Sequence, residues 1–158
     1  MTDPSPHTLI LGMGNPILTD DGIGPRMVQR LQADMQDERI VFQNRETGGM
    51  EIIELIAQYD RVILIDAIKT QHGLPGTVTL YTPADFKETL HTTGLHDISF
   101  LTALRLADKL KFRMPDRVHI IAIEISEDMI FSEEFSPVIQ SQYPEIYRQV
   151  RELVNRLL

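Results

Sequence analysis

The side chains of this sequence able to do chemistry together are carboxylates and a histidine. Asp20 and Asp21 stand side by side in the glycine-rich stretch Gly12-Met13-Gly14-Asn15-Pro16-Ile17-Leu18-Thr19-Asp20-Asp21-Gly22-Ile23-Gly24. Asp66 closes the apolar run Val62-Ile63-Leu64-Ile65, and His96 precedes a helical pattern. The glycine-rich stretch follows a short apolar run. It reads as the loop at the carboxyl end of a first strand, where open α/β sheets carry their sites. Its glycines suggest a phosphate loop, but its two carboxylates would repel a phosphate. The dinucleotide fingerprint needs a third glycine where Ile17 stands, and no Gly-Lys-Ser/Thr tripeptide exists. No nucleotide cofactor is expected.

Metal chemistry suits the residues better. Asp21 and Asp66 are expected at the same sheet edge, where a divalent cation would relieve their repulsion. One histidine would complete a set of two oxygens and a nitrogen, with a position left open. Of five histidines, His7 lies near the terminus, His72 and His91 in polar loops, and His119 inside a strand. His96, at a loop-to-helix junction, is the best geometric candidate. Structural roles remain open at each position. Asp20 or Asp21 would serve as an N-cap, Asp66 would cap the Ala67-Ile68 turn, and His96 would be an ordinary loop histidine. The division expected here gives Asp20 the helix start and Asp21 the metal.

The elements that must position these residues alternate. Strands are expected over 8–13, 39–43, 62–65, 77–81 and 118–123. Helices are expected over 22–34, 50–59 and 98–110, with Asp97 as N-cap of the third, and at the C-terminus with Pro144 near its start. Residues 83–96 read as irregular. The alternation predicts an α/β doubly wound, mostly parallel sheet. The connection from 65 to 77 is too short for a helical crossover, so strand 77–81 is expected to run antiparallel at or near an edge.

At 158 residues a single domain, 1–158, is the default. The charge of −8, with 15 basic and 23 acidic residues, argues against nucleic acid and anionic lipid as partners. Cysteine is absent, which removes thiol nucleophiles and Cys-based metal sites. The first residues lack the features of a signal peptide and no apolar run is long enough to span a membrane. A cytoplasmic protein is expected.

The segments Gly12-Met13-Gly14-Asn15-Pro16 and Asp20-Asp21-Gly22-Ile23-Gly24 resemble the opening signature of the nickel–iron hydrogenase maturation endopeptidases. Asp66-Ala67, Pro75-Gly76-Thr77 and Leu95-His96-Asp97 fall in that family's order and approximate spacing, so the resemblance runs from about residue 8 to 125. It implies a three-layer α/β/α sandwich, phosphorylase/hydrolase-like, on a twisted five-stranded sheet. It also implies an endopeptidase that removes the C-terminal extension of a hydrogenase large-subunit precursor after nickel insertion. Carried over position by position, Asp21, Asp66 and His96 are the implied metal-binding and catalytic residues. The nickel would come largely from the precursor, and the enzyme is expected to be a monomer. The alternative is a precursor-binding or nickel-binding maturation factor without peptidase activity.

Overall fold

The computed structural model describes residues 7–46, 48–88 and 95–158; the side chains of 86–88 and 95–101 lie outside that description. The described strands are β1 (Thr8–Met13), β2 (Ile40–Arg45), β3 (Arg61–Ile68), β4 (Val78–Tyr81) and β5 (Arg117–Glu124). They form one sheet in the order β2-β1-β3-β5-β4, parallel except for β4, which pairs antiparallel with β5 at the edge. The helices are α1 (Ile23–Asp34), α2 (Met50–Ile56), α3 (Pro83–Glu88), α4 (Leu95–Lys109) and α5 (Pro137–Leu157). A 3-10 turn over Thr19–Gly22 precedes α1. The mostly parallel sheet and its antiparallel edge are those the sequence predicts.

Two cores explain why the central strands read as apolar runs. On one face Ile10, Ile63, Ile65, Ile121 and Ile123 pack against Met27 and Leu31 of α1 and Ile146 and Val150 of α5. On the other, Leu9, Leu11, Val62, Leu64 and Ile120 pack against Ile52, Ile53 and Ile56 of α2 and Ala103 and Ala107 of α4. Successive side chains of a strand point to opposite faces, so a strand covered on both sides reads as one apolar run. No helix among the described residues is long and apolar enough to cross a membrane.

Several boundaries differ from the sequence expectation, each for a physical reason. Strand β3 does not end before Asp66: its pairing with β5 continues to Ile68↔Glu124, so Asp66 lies inside the ladder. Helix α2 stops at Ile56, the last of its buried side chains. The stretch after β4 is not wholly irregular. The Asp85 N–H donates to Thr82 Oγ1 and the Thr82 hydroxyl donates back to Asp85 Oδ2, a reciprocal cap that starts α3. Helix α4 begins at Leu95, which moves Asp97 from the cap into the first turn. Helix α5 begins at Pro137, and Pro144 lies inside it. The lost N–H is tolerated because the apolar stripe Ile139, Ile146, Val150 and Val154 is fully buried.

Helix α1 lies unusually close to the sheet. A Cβ at Gly24 would collide with Met13 O and stand 2.5 Å from Ile65 O. A Cβ at Gly12 would stand 2.9 Å from Gly24 O. Gly24→Ala is therefore expected to cost about 1–3 kcal/mol of stability through overpacking, read as a lower urea midpoint. An unchanged midpoint would mean the backbone yields there. Helices α1 and α5 are joined by Tyr147, whose hydroxyl donates to Asp34. Burial, and then that bond, push the Tyr147 hydroxyl up to about 12. The unfolded phenol ionises near pH ~10. The resulting stabilisation is complete below that pH and is lost as pH rises from about 10 to 12. Tyr147→Phe should flatten alkaline stability profiles over that window.

Candidate active site

The chain order β2-β1-β3 reverses direction between β1 and β3, and the crevice above such a switch point is where α/β sheets bind ligands. Asp21 and Asp66 flank it. The loop after β1 reaches this position by folding on itself. Gly14, at φ +135°, brings the chain so close to Asp21 O that a Cβ there would collide with it. The Asn15 N–H then donates to Asp21 Oδ2 at 2.7 Å, and the Asp21 N–H donates to Leu18 O. Asp21 is only 9% exposed. The 3-10 turn that carries it packs against β3, because Gly24, three residues on, rests on Ile65 O.

Asp66 pairs in register with Ala122 and is 5% exposed. Its Oδ1 accepts the Ala67 N–H at 2.8 Å. Ile63, Ile65 and Ala67 point to the α1/α5 face, and Val62, Leu64 and Ile68 to the α2/α4 face. Alternation assigns Asp66 to the α2/α4 face. That face is covered by α4, whose second residue is His96. The His96 side chain lies outside the described residues. The fold thus sets the turn that carries Asp21 against β3, the strand that carries Asp66, and starts α4 on the face that Asp66 addresses.

Asp20 does not have the role expected from the sequence. Helix α1 has Gly22 at its N-cap and no side-chain cap bond. Asp20, 0% exposed, instead faces the segment after β5. Its Oδ2 accepts the N–H groups of Ser126 (3.2 Å) and Glu127 (2.8 Å) and the Ser136 hydroxyl (2.7 Å); Oδ1 accepts the Ser136 N–H (2.8 Å). The neighbouring Thr19 has φ +52°, a costly conformation for a β-branched residue. It is held there by donating its N–H to Ser132 O and its hydroxyl to Ile130 O. Sequence alone gave no sign of these partners, which lie more than 100 residues away.

The remaining histidines fall elsewhere. His7 Nδ1 lies 2.7 Å from Asp60 Oδ2, at the opposite edge of the sheet. His72 is in an exposed turn, and His91 lies outside the described residues. His119 is in β5, where burial, then Arg117 and Arg61, hold its imidazole below the usual range. One further buried carboxylate was not anticipated. Glu124, 4% exposed, accepts the Thr70 N–H at 2.6 Å and the Thr70 hydroxyl, fixing the turn after β3.

The family model for hydrogenase maturation proteases matches residues 25–153. The hydrogenase 2 maturation protease of Escherichia coli strain K12 is 30% identical over 149 residues, covering 90% of this chain and 87% of that one. The hydrogenase expression/formation protein HupD of Rhizobium leguminosarum is 30% identical over 105 residues, and the chain spans about half of its length. Among solved structures, the hydrogenase-maturating endopeptidase HybD from E. coli superposes with a TM-score of 0.78 at 23% identity, over 95% of this chain and 93% of that one. The maturation protease HybD from Thermococcus kodakarensis superposes at 0.66 and 24%, over 93% and 98%. The fold, with its switch-point crevice, is thus that of a known group of peptide-bond hydrolases. This chain belongs to the hydrogenase maturation protease family.

The anchoring role of Asp20 is open to direct measurement. A hydrogen bond to a charged acceptor is worth about 1.5–3 kcal/mol, so Asp20→Ala is expected to lower stability by at least about 3 kcal/mol. Urea denaturation reads the loss, and an unchanged midpoint would overturn the anchoring role of Asp20.

Proposed function

We propose that this protein removes a C-terminal extension from a nickel-loaded hydrogenase large-subunit precursor. The observation that carries this reading is the pair Asp21 and Asp66, two nearly buried carboxylates from separate elements at one switch-point crevice. Such a pair favours the arrival of a cation. His96, in the first turn of α4, supplies the nitrogen ligand. In this reading the cation is nickel that the precursor brings with it. Two carboxylates and one imidazole bind nickel only modestly, so thiolates of the precursor dominate its coordination. The metal then reports that the precursor is loaded and positions the peptide.

Asp21, Asp66 and His96 are the catalytic residues as well. With no cysteine in the chain, water is the nucleophile, and one of the two carboxylates takes its proton. The same reading has the enzyme act as a monomer in the cytoplasm.

Mass spectrometry of a purified precursor after incubation tests the proposal. The nickel-loaded precursor should lose a short C-terminal peptide, and the metal-free precursor should not. Equal cleavage of both would remove the metal from recognition, and an unchanged mass together with binding would make the protein a maturation factor without peptidase activity. Asp66→Asn and His96→Ala should each abolish peptide release while the protein stays folded by circular dichroism.

A further inference from the structure

The segment between β5 and α5 displays three consecutive apolar side chains to solvent. Met129 is 79% exposed, Ile130 60% and Phe131 77%. Ile17, in the loop that carries Asp21, adds a fourth at 45%. Single exposed apolar residues are ordinary, but a contiguous group marks an interaction surface. This group is fixed in place rather than carried on a loose loop. The buried Asp20 carboxylate anchors both ends of the segment, at Ser126–Glu127 and at Ser136. Thr19 holds its middle through Ile130 O and Ser132 O, and the Ser132 N–H returns to Ile17 O. The ridge is therefore joined to the 3-10 turn that carries Asp21.

We propose that this ridge is where the precursor polypeptide docks before its tail enters the crevice, resting on the reading that the substrate is a hydrogenase large-subunit precursor. Charge identifies the matching face. The ridge is framed by Glu127 and Asp128 on one side and Glu133 and Glu134 on the other, with no basic residue between them. Among the described residues, Asp128 pairs with Lys69, and the Arg26 guanidinium donates to the Glu133 backbone carbonyl rather than to its carboxylate. The complementary surface is an apolar patch rimmed by lysine or arginine. A second copy of this chain would oppose the same acidic frame to itself at a net charge of −8. An anionic membrane would be repelled by it. Because the ridge is already ordered, docking does not pay for immobilising it.

The test uses the full-length protein and a purified, uncleaved, nickel-loaded large-subunit precursor in a biolayer-interferometry assay. The triple substitution Met129→Ser, Ile130→Ser, Phe131→Ser changes only exposed side chains. It should weaken precursor binding at least tenfold and raise KM in the cleavage assay with little change in kcat. Reversing Glu133 and Glu134 to lysine should slow association. Undiminished binding by the triple variant would overturn the ridge and leave the peptidase reading intact. Weakened binding with no cleavage by any form would support the ridge and defeat the peptidase reading instead. Flotation of the protein with vesicles containing anionic lipid, lost in the triple variant, would show a membrane surface and overturn the proposal.

Discussion

The architecture of the crevice depends on one close approach of backbone to backbone. Helix α1 starts on top of the sheet's carboxyl edge because Gly24 has no Cβ to keep it away from Met13 O and Ile65 O. Gly12, beneath it, is equally bare. This contact spans β1 and β3, the two strands between which the chain order reverses. It sets the height of the 3-10 turn above the sheet. A methyl group at either glycine would lift the turn and draw Asp21 away from the strand that carries Asp66. The glycines that resemble a phosphate cradle are there for packing.

The two adjacent aspartates show how differently neighbouring carboxylates are used. Both are buried, but Asp20 satisfies donors from a segment more than 100 residues away, whereas Asp21 is bonded within its own loop by Asn15. Adjacent residues of a tight turn necessarily point in different directions. One thereby holds the wall of the crevice, and the other lies in the turn that packs against β3. The strained Thr19 belongs to the same device. Its positive φ turns the chain so that both aspartates reach their stations, and two hydrogen bonds to the 130–132 region hold it there.

Most of the architecture was legible in the sequence because it follows from local pattern. Doubly covered strands read as apolar runs, and the short link from 65 to 77 foretold the antiparallel edge strand. The placement of the Asp21 loop and of Asp66 toward one edge of the sheet was legible because the carboxyl ends of parallel strands share an edge. The expected N-cap role of Asp20 was wrong for a reason no local pattern reveals: its partners are Ser126, Glu127 and Ser136, remote in sequence. Pro144 misled because proline is a local signal for a helix start, and the buried stripe of α5 outweighs it. The start of α3 was legible in principle, since Thr82 and Asp85 have the spacing of a reciprocal cap.

The anchoring of residues 126–136 on Asp20 has a consequence for the order of events during synthesis. Asp20 emerges early, but the groups that satisfy it belong to the last third of the chain. Closing so long a loop is entropically slow and is rewarded only when both ends are in place. Until then the Asp20 carboxylate lacks these donors, and Thr19 lacks the bonds that hold its strained conformation. The wall of the crevice therefore matures only after the C-terminal elements have docked. A nascent or truncated chain would carry the residues of the site without its shape, which delays hydrolytic competence until the fold is complete.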